Sequence, residues 1–251
     1  ALVRMAAGLQ YLLEYPHGCT EQRISRARAG VATKQLRSLL HQDASQESVD
    51  RIVRETLEWI PSAMDRDGLV AYWPGSPGYV SLTAWTMQFL VEAKDAGFPV
   101  PDDLRATLTR SLTQALRSDY ARFIDGETYA ERSWALVALT AAGKFDPSYA
   151  AELARRSEYL DLESTAKVIQ AFAVGGQADS PVLPALAEKL SQGVVTRLYQ
   201  GREIYGGLQE ARTASGLILP SETRTIAELV RALAATPGTH PRLQLLTDAL
   251  V

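Results

Sequence analysis

The sequence has a single cysteine and three histidines in 251 residues. One cysteine excludes an internal disulfide framework. Charge of one sign is lacking too: 26 Lys and Arg against 29 Asp and Glu leave a formal net charge of −3, which gives no electrostatic case for a nucleic-acid partner. No apolar run approaches the roughly 18 residues needed to cross a bilayer, so no direct membrane insertion by this segment is expected. The chain opens at Ala1-Leu2-Val3-Arg4, inside a helical pattern. It has no initiator methionine and no basic segment ahead of an apolar signal region. The expectation is one domain over 1–251, excised from a longer protein.

What is present is helical period. Hydrophobic residues make up 46% of the chain, enough for a large core, and strand-like alternation is nearly absent. Apolar stripes predict helices over 2–14, 20–40, 47–60, 82–95, 102–117, 130–142, 147–157, 163–174, 183–198, 221–235 and 242–250. The longest irregular segment runs from Asp67-Gly68 to Pro77-Gly78, where Leu69 to Trp73 reads as a short extended piece. A glycine-containing loop is expected at Tyr205-Gly206-Gly207. Thr83, Ser133, Thr165 and Thr225 each stand at the start of an apolar helix, as N-caps would. Arg23, Arg26, Arg28 and Lys34 read as a solvated face. Hairpins that each bury one face can close into a ring of inner and outer helices. The fold class expected is all-α, an α/α toroid of about six helical hairpins with short irregular or extended loops.

The lone cysteine lies in Tyr15-Pro16-His17-Gly18-Cys19-Thr20-Glu21-Gln22. Pro16 and Gly18 end the first apolar run, so Cys19 to Gln22 forms the first turn of the next helix. Residues three apart on a helical turn share a face, with Cβ atoms roughly 5–6 Å apart. The Cys19 sulfur and the Gln22 carbonyl can therefore be brought together and condense, with loss of ammonia, into an intramolecular thioester. A helix N-terminus favours the thiolate as attacking and as leaving group. The competing reading is a small buried hydrophobe without chemistry. Tyr15 is a candidate for shielding such a bond from water. His17 is a candidate for assisting it, against a plain surface or packing role, and Glu21 for favouring the helix N-terminus.

Gly18-Cys19-Thr20-Glu21-Gln22 resembles the Gly-Cys-x-Glu-Gln motif of the α2-macroglobulin and complement thioester proteins. With Tyr15-Pro16-His17 and the basic helix that follows, it is most similar to the bacterial α2-macroglobulins. Asp67-Gly68 through Leu82-Thr83-Ala84 resembles the family's glycine/aromatic loop and the helix after it. The match at Gly207 and beyond is loose. The resemblance assigns Cys19 and Gln22 to the internal thioester and implies an (α/α)6-like toroid, with no cofactor and no metal. It implies a protease inhibitor acting as a single-turnover covalent trap and therefore no enzyme. The expected partners are target proteases, bound through Gln22, and other domains of the same parent protein. The expected location is periplasmic, with the parent lipid-anchored. Some members turn the thioester toward hydroxyls with a downstream histidine. The neighbourhood Asp125-Gly126-Glu127-Thr128-Tyr129-Ala130-Glu131-Arg132 has none, which favours amines such as lysine. Two rivals stay open at this point: a glycoside hydrolase or cyclase on the same toroid, using Asp102-Asp103 or Glu127 with Glu131, and a structural interaction module in which no thioester forms.

Overall fold

The computed structural model describes residues 11, 18–40, 46–209 and 221–250, and of 35–40 and 46 only the backbone. The helix expected over 2–14 lies outside the described residues except for Tyr11, which is helical and exposed. The chain divides into two compact units, Ala1–Ala115 and Leu116–Val251.

The first unit contains α1 (Thr20–Leu40), α2 (Gln46–Trp59), a 3₁₀ turn (Ile60–Ala63), α3 (Val80–Asp95) and α4 (Asp102–Gln114). Ile24, Ala27 and Val31 form the buried stripe of α1, which packs on both α2 and α3. α3 is apolar nearly all round and buried along most of its length. α4 buries only Leu104, Leu108, Ser111 and Leu112, as a helix at the edge of a core does. The basic residues of α1 do not form the solvated face expected of them. Arg28 grips Glu92 with two hydrogen bonds of 2.8 and 2.5 Å and lies 3.7 Å over the Trp85 ring. Lys34 sits over Phe98, and Arg23 over Trp59 at 4.1 Å. Long basic side chains here cover apolar rings with their stems and cations.

The second unit contains α5 (Thr128–Ala141), α6 (Pro147–Arg155), α7 (Leu162–Val174), α8 (Leu183–Gln192), β1 (Val194–Tyr199), β2 (Arg202–Leu208), α9 (Glu222–Ala235) and α10 (Pro241–Ala249). α5 and α7 are buried almost all round and pack on each other, whereas α6 and α8 bury one stripe. The helix expected over 183–198 stops at Gln192, and the loop expected at Tyr205-Gly206-Gly207 is strand. β1 and β2 are antiparallel, from Val194 opposite Leu208 to Tyr199 opposite Arg202. Gln200 (φ 50°) and Gly201 (φ 77°) supply the tight turn. Leu190, Val194 and Leu198 keep a helical spacing. However, the run Val194-Val195-Thr196 behind Gly193 is β-branched and favours strand.

The hydroxyls expected as N-caps lie within the helices. Thr83, Thr165 and Thr225 donate back to the carbonyls of Tyr79, Asp161 and Ser221, and Ser133 to that of Ala130. The side-chain caps seen here are Asp146, Asp161 and Ser221, which accept from first-turn amides.

The core of the second unit is ionic at one point. Glu163 accepts from Lys167 at 2.7 Å and from Arg224 at 3.0–3.2 Å. The Lys167 ammonium lies 4.0 Å from the Trp134 ring, and Glu228 accepts from Gln170 at 2.6 Å. Burial pushes the Glu163 carboxyl up, but Lys167 and Arg224 outweigh burial and hold it at about 2. Glu228 is also held below the usual carboxylate range: burial opposes this, and Lys167, Arg231 and Gln170 prevail. A depressed carboxyl contributes stability that is fully present above its unfolded value and is lost as pH falls toward its folded one. The second unit is therefore expected to lose stability in acid between pH 4.5 and about 2. Lys167→Met, which takes one of the two cations from Glu163 and leaves Arg224 on it, should cost about 2 kcal/mol at neutral pH. Urea denaturation across pH checks both, and a Lys167→Met protein as stable as the parent would contradict the second.

Candidate functional site

The site is built on the first turn of α1. The Cys19 carbonyl accepts from Arg23 N–H at 3.0 Å, which makes Cys19 the N-cap residue. The Gln22 side chain reaches back, and its Oε1 accepts from the Cys19 backbone N–H at 3.1 Å. This is half of a capping box: the third helical residue satisfies the amide of the cap. The carboxamide of Gln22 is thus folded over Cys19, with its carbonyl oxygen on a hydrogen-bond donor, which polarises it toward attack at carbon. Cys19 forms no disulfide and is half-buried, and Gln22 is exposed.

Gly18 makes the folding-back possible. A Cβ at Gly18 would stand 2.7 Å from Gln22 Cβ and 3.1 Å from its Oε1, so any larger residue would push the glutamine aside. Arg23 Nε donates to the Gly18 carbonyl at 3.3 Å. The Glu21 carboxylate accepts from Ser25 Oγ at 3.2 Å and adds negative charge at the helix start. Tyr15 and His17 lie outside the described residues.

Thr20 was not singled out by its sequence position, yet it joins the site to the rest of the first unit. Fully buried, it donates to the Tyr72 carbonyl twice, through its N–H at 2.9 Å and its Oγ1 at 3.0 Å. The same Oγ1 accepts from Trp59 Nε1 at 3.1 Å. Tyr72 belongs to the glycine/aromatic segment, whose extended piece is formed by bridges pairing Met64 with Val70 and Ala71 with Gly78. Asp65 Oδ1 accepts from the amides of Asp67 and Leu69, and Oδ2 from that of Gly78. Thr83 Oγ1 accepts from Val70 N–H. A Cβ at Gly78 would collide with the Leu69 carbonyl at 2.4 Å. Of the two neighbouring aromatics in this segment, Trp73 is 54% exposed. Tyr72 is half-buried, its ring 5.6 Å from that of Tyr79.

Two of the acidic residues considered for hydrolysis, Asp102 and Glu131, have other partners. The Asp102 side chain is 91% exposed and pairs with Arg105. Glu131, fully buried, accepts from the Ile124 amide at 2.8 Å. Among the described residues no group of three or more His, Cys, Asp or Glu is placed to share a metal ion. Among them, too, no helix is long and apolar enough to cross a membrane.

No family model matches the chain. Two curated proteins are similar to it in sequence. The α2-macroglobulin of Xylella fastidiosa is 29% identical over 144 residues, 53% of this chain and 9% of that protein. An α2-macroglobulin homolog of Yersinia pestis is 28% identical over 140 residues, 54% of this chain and 7% of that protein. The chain thus matches less than a tenth of the length of either relative. Among solved structures, a C-terminal region of native Escherichia coli α2-macroglobulin superposes with a TM-score of 0.78 at 19% identity, over 99% of this chain and 38% of that one. Salmonella α2-macroglobulin reacted with methylamine gives 0.77 at 20% identity, over 98% and 16%. Trypsin-activated E. coli α2-macroglobulin gives 0.72 at 19%, over 94% and 16%. This likeness shows the fold, the all-α class of α/α toroids expected from the helical period.

Gly18→Ala should displace Gln22 from the Cys19 amide. The expected result is a loss of about 1 kcal/mol, the usual weight of a helix cap, with faster hydrogen exchange at Cys19. Denaturation and amide exchange check it, and unchanged exchange at Cys19 would contradict the role given to Gly18.

Proposed function

We propose that this chain, related in sequence and in fold to the bacterial α2-macroglobulins, is the thioester-bearing domain of a longer protease inhibitor of that kind. The observation that carries the reading is the Gln22 carboxamide held on the Cys19 amide inside a Gly-Cys-Thr-Glu-Gln turn.

In this reading the Cys19 sulfur attacks Cδ of Gln22. The Cys19 N–H donates to the oxygen on which negative charge develops. The C–N bond breaks and ammonia leaves with the thiol proton, which yields the thioester. An incoming amine then attacks the same carbon and the C–S bond breaks. An amide remains on Gln22, and the thiol returns to Cys19 with the amine's proton. Water in place of the amine leaves a carboxylate. Each bond is spent once, so the domain is a covalent trap that does not turn over. With no histidine among residues 125–132, lysine side chains of an attacking protease are the preferred acceptors. The relatives fit this chemistry: one has been reacted with methylamine and another activated by trypsin. A periplasmic location goes with the reading, with the parent protein lipid-anchored. The hydrolase alternative gains nothing from Asp102 or Glu131, which are engaged elsewhere.

Intact mass and thiol titration before and after methylamine test the proposal. The expected protein is one ammonia lighter than its sequence and has no free thiol; methylamine adds once and releases one thiol. A protein of full sequence mass, with a free thiol and unchanged Gln22, would overturn it, and a Gln22 found as glutamate would record a bond already spent.

A further inference from the structure

We infer that Thr20 is a positioning residue for the Cys19–Gln22 pair, its hydroxyl anchoring the reactive turn to the Asp65–Tyr79 strap through the Tyr72 carbonyl and the Trp59 indole. The inference rests on the thioester reading above and adds to it a residue outside the reacting pair.

Thr20 stands between Cys19 and Gln22 in the chain, so its backbone torsions set where both side chains point. First turns of helices fray because their amides have no partners within the helix. Here the first amide of α1 is bonded at 2.9 Å to a carbonyl 52 residues away, and the hydroxyl doubles that bond at 3.0 Å. The Trp59 indole donates to the same oxygen from a third segment. Arg23, three residues on, lies over the same Trp59 ring and donates to the Gly18 carbonyl. The Tyr72 carbonyl is itself fixed, because the strap is bonded by Asp65 at both of its ends and by Thr83 in its middle. A chain of hydrogen bonds thus runs from α3 to the turn that carries the reacting atoms. Loosening it lets Gln22 swing off Cys19, which disfavours closure of the bond and exposes a closed bond to water.

Thr20→Val keeps the shape and the backbone bond to Tyr72 while removing both hydroxyl bonds. Thr20→Ser keeps the hydroxyl, and Trp59→Phe removes only the indole donor. The readouts are the fraction of protein one ammonia light, the rate of thiol release in buffer and in methylamine, and Tm, all in the intact protein. Two lost hydrogen bonds predict a roughly tenfold shift for Thr20→Val, toward less bond formed or faster loss to water. A fall in Tm of a few degrees is expected for Thr20→Val, with Thr20→Ser close to the parent and Trp59→Phe moving part of the way. A parent that carries the bond, with Thr20→Val indistinguishable from it or Thr20→Ser as impaired as Thr20→Val, would overturn the inference and leave the thioester reading standing. Should Thr20→Val not fold, an unchanged release rate in Trp59→Phe would overturn it instead. A parent that never forms the bond would overturn both.

Discussion

The constraint on which the site depends is the set of amides at the start of α1. A helix leaves its first amides without internal partners, and they must be satisfied from outside. Here the Cys19 amide is met by the Gln22 side chain and the Thr20 amide by the Tyr72 carbonyl. The first of these bonds places the glutamine carbonyl over the cysteine. The second ties the turn to a distant segment. The capping that starts the helix and the arrangement that suits the chemistry are therefore one set of contacts, which is why a glutamine at this offset serves both.

The segment that supplies the Tyr72 carbonyl is irregular, and its rigidity comes from side chains. Asp65 takes three amides of the loop, and Thr83 takes a fourth. A hydrogen bond to a carboxylate is worth about 1.5–3 kcal/mol net and a neutral one about 1 kcal/mol. Their sum keeps a loop rich in glycine and proline in one conformation. Gly78 allows two backbone runs to approach more closely than any Cβ would permit. Packing onto α3, which is buried nearly all round, fixes the strap from beneath.

Much of the fold was legible because helical period is a local property. α1 begins and ends where the apolar stripe of 20–40 does, and most other helices fall within a few residues of expectation. The larger failures share a cause: each was decided by a distant partner. Whether Val194 to Leu198 becomes helix or strand depends on pairing with Arg202 to Leu208. Whether Arg28 faces water depends on Glu92 and Trp85, more than fifty residues on. Ser221 and Asp161 took the capping roles expected of Thr225 and Thr165 because those threonines lie one turn inside the helices, where their hydroxyls bond back to the carbonyls of the capping residues themselves. The site divides the same way. The offset between Cys19 and Gln22 is readable from spacing, whereas Thr20, Trp59 and the backbone of Tyr72 meet only in three dimensions.

This division has a physical basis in what the proposed reaction requires. A bond between residues three apart on one turn needs no long-range assembly of catalytic groups, because the helix itself supplies proximity. What the fold must add is restraint. Without it the same turn frays, and the advantage of proximity is averaged over conformers in which carbon and sulfur are apart. A polar restraint suits this position better than an apolar one. An apolar cap would bury the helix start and leave its amides unpaired at a cost of about 1–3 kcal/mol each. A carbonyl and a hydroxyl satisfy the amides while fixing the torsions. Gln22 remains exposed beside them, so the restraint reaches the reactive turn through its buried face and leaves the electrophilic carbon open to an incoming amine.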